Sequence, residues 1–366
     1  MAIMQDILVI GGGIAGIGAA AEMSLEADVT VLEAEDVIGY HSSGRSAAIF
    51  LLNYGNATLR ALNAAAEPTL KEPDGIAENS LLSPRGELLI ANETELAAFE
   101  SYLDGAVGME RISPDDAVGL IPILRRDGIT AAAIERDAQD IDVDRMLQGY
   151  ARLLRKRGGS ISKNSPAKRI SHSNGSWNVE TPSDTYQAPV IVNAAGAWAD
   201  VIAEMAGLRK VGLVPMRRSA ILLPSPADYD INHWPLFVSA SEQWYAKPEA
   251  GKLFVSPADE DPVEPHDAWP EDLVIAEGLD RFQKAVTIPV TRVEKSWAGL
   301  RSFVSDRTPV VGFDTQADGF FWLAGQGGYG MQTAPALSVL SANLCLGKTP
   351  ALSEAIVAAL SPARFS

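Results

Sequence analysis

Cysteine and long apolar runs are scarce in this chain. Among 366 residues Cys345 is the single cysteine, so an internal disulfide is excluded and nothing points to an oxidising compartment. No run of 18 apolar residues occurs, which removes the usual candidate for a transmembrane helix. The apolar stretch near the N-terminus lacks preceding basic residues, so we do not interpret it as a secretion signal. These absences predict a cytoplasmic protein, with peripheral attachment to a membrane as the alternative.

Basic residues are also scarce relative to acidic ones. Lys and Arg number 30 against 47 Asp and Glu, a net charge of −17 that repels a phosphate backbone. We therefore expect no nucleic-acid partner. The sequence has four histidines, no C-x-x-C or H-E-x-x-H spacing and no G-x-S-x-G motif. It therefore predicts neither a metal site nor an α/β-hydrolase.

Glycine, by contrast, is concentrated where a predicted strand meets a predicted helix. Residues 7–10 are typical of a strand buried on both faces, and the alanine-rich residues 14–25 are typical of a helix. The junction carries a G-x-G-x-x-G motif formed by Gly11, Gly13 and Gly16. Such glycines allow a tight turn and let a pyrophosphate approach the backbone at the helix N-terminus. The motif predicts a dinucleotide site.

An acidic residue follows at the spacing that such a site requires. Glu33 ends a second predicted strand 22 residues after Gly11, close to the ~20 expected for an acid that binds a ribose hydroxyl pair. Glu33 fits NAD and FAD equally, because both carry an adenosine ribose with free hydroxyls.

Three further segments are rich in small residues. "GYHSSGRSAA" at 39–48 is polar, with Arg45 and Ser46 placed to hold phosphate oxygens. "VIVNAAGAWAD" at 190–200 and "FFWLAGQGGYGMQTAPALS" at 320–338 each run from a predicted strand into glycine. Glycine-rich strand ends so far apart in sequence suit one long cofactor that lies across a sheet.

These segments resemble the FAD-dependent D-amino acid oxidase superfamily and, within it, the D-arginine dehydrogenases. The resemblance covers nearly the whole chain and is carried by "GYHSSGRSAA", "LLSPRGELLI", "VPMRRSAILL", "WYAKP", "WAGLRSFVSD" and "GQGGYGMQT". It implies an α/β fold, α+β overall, with a doubly wound, Rossmann-like FAD-binding domain and a second, mostly antiparallel β-sheet domain that supplies the substrate pocket. We expect FAD to be bound without a covalent bond.

The predicted domains interleave along the chain. Residues 1–50, 138–211 and 297–366 contain every glycine-rich strand end and form the predicted FAD-binding domain. Residues 51–137 and 212–296 carry alternating strand patterns that end in prolines, and they form the predicted substrate-binding domain.

Two local predictions accompany this assignment. The segment that starts at Asp142 or Asp144 and ends at Gly158 predicts a capped helix. The acidic, proline-punctuated segment 256–273, which we call the acidic segment, predicts an exposed loop.

In the family, the first glycines hold the pyrophosphate, the central "NAAGAW" approaches the cofactor, and the last glycine loop faces the pyrimidine edge of the flavin. The residues that the resemblance assigns to the cofactor are Gly11, Gly13, Ile14, Ala15, Gly16, Glu33, Ala34, His41, Ser42, Gly44, Arg45, Ser46, Ala47, Ala48, Ala195, Gly196, Trp198, Gly327, Gly328, Tyr329, Gly330, Met331, Gln332 and Thr333. For His41 we expect a structural hydrogen bond and not a role as general base.

The implied reaction is oxidation of an amino acid by hydride transfer to the flavin N5, for which the protein mainly positions the substrate. The predicted catalytic residues are Arg218, Arg301, Tyr245, Tyr54, Glu87 and Gly328. A guanidinium grips a carboxylate through a planar fork. The resemblance assigns Arg301 and Arg218 to the substrate carboxylate, although from the residues alone Arg217 could be the inward arginine.

The remaining assignments concern the substrate side chain. Tyr245 adds a hydroxyl beside the carboxylate, Tyr54 lies on a loop that closes over the site, and Glu87 meets a cationic side chain. One position departs from the family: Ile49, followed by Phe50, stands where the D-arginine enzyme has a histidine. This makes one wall more apolar.

The sequence therefore predicts an FAD-dependent enzyme that oxidises the CH–NH2 group of basic or large apolar D-amino acids to imino acids. Three alternatives stay open: a 2-hydroxy acid dehydrogenase, a secondary-amine oxidase of the same fold, and a non-catalytic flavin-binding protein. The expected partner is a small amino acid. The electron acceptor, whether O2, a quinone or an electron carrier, stays open.

Overall fold

The computed structural model describes residues 2–365. The strands in this part of the chain are β1 (Ile3–Met4), β2 (Ile7–Ile10), β3 (Val29–Leu32), β4 (Ile49–Phe50), β5 (Leu82–Pro84), β6 (Glu87–Ala91), β7 (Met109–Ile112), β8 (Ala131–Glu135), β9 (Gln139–Ile141), β10 (Ser160–Ser162), β11 (Arg169–Ser173), β12 (Ser176–Glu180), β13 (Thr185–Ala188), β14 (Val190–Asn193), β15 (Val214–Leu223), β16 (Leu236–Ser239), β17 (Tyr245–Glu249), β18 (Lys252–Ser256), β19 (Asp261–Pro262), β20 (Lys295–Phe303), β21 (Val310–Phe313) and β22 (Phe320–Ala324). The α-helices are α1 (Ile14–Met23), α2 (Ala57–Lys71), α3 (Leu96–Leu103), α4 (Pro114–Leu120), α5 (Val143–Lys156), α6 (Ala199–Met205), α7 (Asp272–Ala285), α8 (Gly330–Cys345) and α9 (Glu354–Leu360).

A six-stranded sheet of order β10-β3-β2-β14-β22-β21 forms the predicted Rossmann-like core. Its pairs are parallel except for the edge pair β21–β22. Strand β2 is buried on both faces because it lies between two cores. Ile7 and Val9 pack in the core that contains α1, α5 and α8, whereas Leu8 and Ile10 pack in a second core. That second core includes Trp177 from a small sheet of order β1-β13-β12-β11. Helices therefore cover one face, and mainly a sheet covers the other.

The second large sheet has the order β19-β15-β18-β17-β16-β6-β8-β7, and β20 also pairs with β15. Its pairs are antiparallel apart from β16–β6, as the alternating sequence pattern predicts. The proposed domain boundary at residue 297 falls inside β20, which hydrogen-bonds to β15 along its whole length.

The site lies where the two large sheets meet. Strands β2 and β14 end side by side, with Asn193 opposite Ile10, so their glycine-rich loops leave the same edge. Such crevices at the carboxyl ends of parallel strands are where ligands bind in open α/β sheets. None of the helices between residues 2 and 365 combines the length and apolar character that a membrane span requires.

Candidate active site

The first glycine loop forms a tight backbone cradle. Gly11 has φ +111°, a conformation that favours glycine, and a Cβ there would collide with the carbonyl oxygen of Ala194 on the neighbouring strand end. The Ile14 amide, at the start of α1, donates to the Ser43 hydroxyl at 3.0 Å. The cradle thus brings segments 11–16, 39–48 and 194–198 together at the N-terminus of α1.

Glu33 lies beside this cradle, at the end of β3. Its carboxylate accepts hydrogen bonds from the Gly12 amide at 2.6 Å and the Glu35 amide at 2.8 Å. It is 8% exposed and lines a cavity of about 1170 Å³ together with Ala195 and Trp198. This is the position that an acid needs to reach a ribose next to the pyrophosphate.

Three adjoining cavities run from Glu33 to the second sheet. The cavity at Glu33 shares Gly13, Ser42 and Gly196 with a middle cavity of about 960 Å³. The middle cavity shares Tyr245, Arg301, Gly328 and others with a third of about 750 Å³, which we call the substrate cavity. Of the residues predicted to bind the cofactor, all line one of the three except Gly16, Gly44, Tyr329 and Thr333.

The four exceptions support the loops instead. Gly16 packs against the carbonyl of Gly11, and the Gly44 amide donates to the Gly39 carbonyl at 2.8 Å. The Tyr329 ring packs on Tyr54, with centroids 4.9 Å apart, and its carbonyl accepts from the Thr333 hydroxyl at 2.8 Å.

The middle cavity offers a donor without a partner. The Gln326 side-chain amide nitrogen is buried and makes no hydrogen bond within residues 2–365, and Gln326 lines this cavity between β22 and α8. The three cavities together form an elongated slot that fits FAD. It has the glycine cradle and an acid placed to bind a ribose at one end, and an unpaired hydrogen-bond donor at its middle. Gln326 is absent from the predicted set, although it stands within "GQGGYG".

Arg45 and His41 are held by protein groups. The Arg45 guanidinium donates to the carbonyls of Ala268 and Ala298, each at 3.0 Å, and pairs with Asp267. This geometry argues against the phosphate contact predicted for Arg45, because these partners fasten loop 39–48 to β20 and the acidic segment. His41 bonds Glu35 at 2.9 Å, in line with the structural hydrogen bond that we expected.

Arg301 is the cation at the junction of the middle and substrate cavities. Its guanidinium is 3.4 Å from the hydroxyls of both Tyr54 and Tyr245, and these are its only side-chain hydrogen bonds within the described chain. No carboxylate of residues 2–365 forms an ion pair with it. Because a guanidinium stays protonated, a cation in this position is set to receive an anionic group of a ligand.

Gly328 gives the Arg301 side chain its space. A Cβ at Gly328 would lie 2.9 Å from Nη1 and 3.0 Å from Cζ of Arg301. Any side chain at this position would therefore displace the guanidinium. The role that the geometry supports for Gly328 is to accommodate Arg301 next to the last glycine loop.

Strand pairing decides which of the two neighbouring arginines faces inward. Across β15–β20, Arg301 lies opposite Met216, so Arg218, two residues further along, is on the same face and Arg217 is on the other. Arg218 lines both the middle and the substrate cavity. It is tied to the Asp259 carbonyl and the Glu260 carboxylate, each at 2.8 Å, so it is less free than Arg301.

The acidic segment is only partly the exposed loop that its composition predicts. Strand β19 within it pairs with β15, and Arg217 binds Asp261 and Glu271 while lying 3.6 Å from Asp259. The Asp259 side chain is 5% exposed. The charges that suggested a solvated loop serve instead as partners for arginines of β15.

Glu87 lies on the same sheet, away from the arginines. Strands β15 and β6 are separated by β18, β17 and β16, which amounts to about 19 Å at ~4.8 Å per strand. Glu87 is 3% exposed, lines the substrate cavity and accepts a 2.8 Å hydrogen bond from the Tyr102 hydroxyl. Burial raises the pKa of Glu87 to about 8, the Glu135 carboxylate adds to the rise, and the Tyr102 hydrogen bond opposes it.

Apolar side chains form the walls between the two ends. Leu89, Leu236 and Val238 come from β6 and β16, and Ile49 comes from β4. Phe50, by contrast, is 1% exposed and belongs to the core. Of the pair noted in the sequence, Ile49 is thus the one that lines the substrate cavity.

Glu242 is a further cavity residue that sequence reasoning missed. It lies in the turn between β16 and β17 with φ +51°, uncommon for a residue other than glycine, and lines the substrate cavity. Its carboxylate makes no hydrogen bond or ion pair with residues 2–365, yet it adds to the raised pKa values of Glu87 and Tyr54, for both of which burial is the main cause. Glu242 is an exposed acid in a turn, and nothing in the sequence indicates its positive φ or its place beside the cavity.

Comparison with known proteins places this architecture in a family. The family of FAD dependent oxidoreductases (DAO) matches residues 6–344, and the chain belongs to it. An uncharacterized oxidoreductase, YurR, of Bacillus subtilis (strain 168) is 25% identical over 65% of this chain and 63% of its own length. Glycine oxidase of Bacillus licheniformis is 24% identical over 93% of each chain.

A solved structure supports the fold. The L-proline dehydrogenase from P. horikoshii superposes with a TM-score of 0.85 at 22% identity, covering 100% of this chain and 98% of that one. The predicted superfamily, fold and cofactor are thereby confirmed: the chain has the fold of an FAD-dependent oxidoreductase of the DAO family.

Proposed function

We propose that this protein oxidises the CH–NH2 group of D-amino acids with cationic or large apolar side chains to imino acids. The observation that carries the proposal is Arg301, a half-buried guanidinium with no carboxylate partner among residues 2–365, in the same cavity as the buried acid Glu87. An α-carboxylate would satisfy the first group, and the substrate side chain would extend towards the second.

The residues of the chain bind and orient the substrate. The Arg301 fork takes the α-carboxylate, and Arg218 and the Tyr245 hydroxyl lie around the same junction. FAD, when bound, supplies the acceptor for the hydride that leaves the substrate Cα. The glycine cradle, Glu33 and Gln326 are the groups that would hold it.

Residues of the chain also shield the reacting carbon from water. Tyr54, on the loop of residues 51–56, is held beside Arg301 by its hydroxyl and beside Tyr329 by ring packing, so it covers the junction. The amine loses one hydride and one proton to become an imine, and water then converts the imine to a 2-oxo acid and ammonia.

Two of the related proteins, glycine oxidase and L-proline dehydrogenase, act on amino acids by name, whereas a third is named as a glycerol 3-phosphate dehydrogenase. The preference for the D-enantiomer rests on the family resemblance of the site motifs. The carboxylate end would accept a 2-hydroxy acid equally well, because Arg301 contacts only the carboxylate.

Anaerobic bleaching of the flavin tests the proposal. Purified holoprotein is mixed with D- and L-forms of arginine, lysine, methionine and phenylalanine, and with 2-hydroxy acids of matched side chain, while absorbance and ammonia are recorded. We expect bleaching and stoichiometric ammonia with the D-amino acids. Bleaching without ammonia would favour the hydroxy acid alternative, and no bleaching by any compound would favour a non-catalytic flavoprotein.

We also infer that FAD is held without a covalent bond. Cys345, the single thiol, lies at the end of α8 and lines none of the three cavities. Acid precipitation should therefore release yellow FAD into the supernatant, and colour that stays with the pellet would contradict this inference.

A further inference from the structure

Glu135 is a second buried acid directly beside Glu87. The two residues are opposite partners in the antiparallel pair β6–β8, so their side chains project from the same face of the sheet. Glu135 is 2% exposed and Glu87 is 3% exposed. Two carboxyls so placed cannot both be ionised without a large electrostatic cost, because little solvent screens them.

The hydrogen bonds distribute the charge unequally between these two carboxyls. Glu135 accepts from the Asn53 side-chain amide at 2.7 Å and from the Leu52 amide at 3.1 Å, two donors that favour the ionised form. Glu87 accepts from the Tyr102 hydroxyl alone among the described residues. The proton therefore resides on Glu87 and the negative charge on Glu135.

Glu135 also holds the loop that covers the site. Leu52 and Asn53 belong to the loop of residues 51–56 that carries Tyr54, and Asn53 in addition bonds both backbone groups of Val107, at 2.8 and 2.9 Å. The acid that disfavours a charge on Glu87 is thus the same acid that fixes the position of Tyr54.

We propose that Glu135 is a positioning residue that couples the Tyr54 loop to Glu87, and that the two carboxyls together bind one proton until a cationic substrate side chain displaces it. The proposal rests on the proposed function, since it needs a cationic side chain to reach Glu87. It explains how one cavity serves two substrate classes: a protonated Glu87 offers a neutral wall to an apolar side chain, and an ionised Glu87 pairs with a guanidinium or ammonium.

Other titratable groups face this pair and change the affinity of its carboxyls for the proton. Tyr102 of α3 and Glu242 of the β16–β17 turn act on Glu87, and Asp137 and Arg60 act on Glu135. Burial raises the pKa of both acids, and the two donors to Glu135 oppose the rise there. Since the pKa of Glu87 is raised to about 8, the pair retains its proton at pH 7 until a ligand cation arrives.

Calorimetric titration of the holoprotein tests the proposal with two non-oxidisable probes. The first is 5-guanidinopentanoate, which is arginine without its α-amino group, and the second is heptanoate, an apolar carboxylate. Binding is measured at pH 7 in two buffers of different ionisation enthalpy, which yields the number of protons released. We expect about 0.9 proton released with the guanidino probe, the protonated fraction of a group with a pKa of about 8, and none with heptanoate.

The pH profile and two variants separate coupling from a merely structural role. The Kd of the guanidino probe should fall about fiftyfold between pH 6 and pH 8 and then level off, whereas the Kd of heptanoate should not follow this profile. Glu135→Gln keeps the bond from the Leu52 amide but removes the charge, so it should release fewer protons at pH 7 and move the profile to lower pH. Glu87→Gln should abolish proton release while heptanoate still binds.

Three results would overturn the proposal. Binding of the guanidino probe without proton release would show that Glu87 is already ionised or untouched, and would leave the proposed function standing. An unchanged pH profile in Glu135→Gln, with both probes weakened equally, would reduce Glu135 to a structural role. Binding of heptanoate but not of the guanidino probe would refute cationic substrates altogether, and with them that part of the proposed function.

Discussion

Arg301, which is half-buried, and Glu87, which is fully buried, are ionisable side chains that line one cavity but differ in how their charge is set. Arg301 is a permanent cation whose described partners are two tyrosine hydroxyls, so it has no ion-pair partner among residues 2–365 and can bind an anion. Glu87 is an acid whose ionised form is disfavoured by burial and by the Glu135 carboxylate, and we propose that a ligand cation is what ionises it. In the proposed function, the Arg301 end of the cavity therefore binds the same carboxylate in every substrate, and the Glu87 end adapts to the substrate side chain. Variants at the two ends of the cavity test this contrast.

The largest effect is expected from Arg301→Met. Losing the buried partner of a substrate carboxylate costs about 2–5 kcal/mol, which corresponds to a loss of about thirtyfold to several thousandfold in kcat/KM. Every substrate should be affected alike, because all carry the carboxylate. FAD content, measured after denaturation, is the control: if FAD is lost together with activity, Arg301 is a cofactor or folding residue and the contrast fails.

Glu87→Leu should produce a smaller and selective effect. A hydrogen bond to a charged group is worth roughly 1.5–3 kcal/mol, so kcat/KM for D-arginine should fall about tenfold to a hundredfold. D-Methionine should be nearly unaffected or should improve, because leucine extends the wall formed by Ile49 and Leu89. The quantity to measure is the ratio of the two kcat/KM values, and an unchanged ratio would remove Glu87 from the substrate-binding surface.

Arg218→Met, compared with Arg217→Met, tests whether strand alternation selects the inward arginine. Because Glu260 already neutralises part of its charge, replacing Arg218 should cost about tenfold in kcat/KM, roughly 1.4 kcal/mol. Arg217→Met should leave kcat/KM within about twofold but lower the midpoint of thermal unfolding, since the buried Asp259 loses its ion pair and keeps only its hydrogen bonds from Ser219. The reverse pattern would mean that Arg217 is the substrate ligand.

The smallest effect is expected from Glu242→Gln. An exposed charge pair contributes about 0.2–1 kcal/mol, so kcat/KM for D-arginine should fall by at most about fivefold, and less at high salt. D-Methionine provides the comparison, and its kcat/KM should be independent of salt over the same range. A loss as large as that of Glu87→Leu would move the main selectivity from the buried acid to the turn.

Local patterns in the sequence predicted the cofactor end well. The helix predicted to begin at Asp142 or Asp144 is α5, and Asp142 is its cap, because its side chain accepts from the Arg145 amide at 3.0 Å. The glycine motif likewise predicted the turn between β2 and α1, although the close approach at Gly11 is to Ala194 on a neighbouring strand end. A helix cap and a glycine turn are determined by residues close together in sequence, so a local sequence pattern can predict them.

The arrangement of residues around the substrate cavity depends on contacts between residues far apart in the chain, so local sequence patterns do not predict it. Glu135 bonds Asn53 across 82 positions, and Arg218 bonds Glu260 across 42. Composition alone marks the acidic segment as solvated, and only strand pairing shows that Asp259 is buried against arginines. Glu87 was found through the family resemblance, but its proton depends on a cross-strand partner that sequence spacing does not reveal.

The pairing of β15 with β20 has a consequence for how this enzyme can change. The two cavity arginines are diagonal neighbours across a continuous ladder of backbone hydrogen bonds, so a one-residue deletion within either strand would turn its arginine to the opposite face. Ile49, Leu89, Leu236 and Val238 come from other strands, and replacing them leaves that ladder intact. Evolution or a directed library can therefore change the side chains at these four positions while both arginines stay on the cavity face of the sheet.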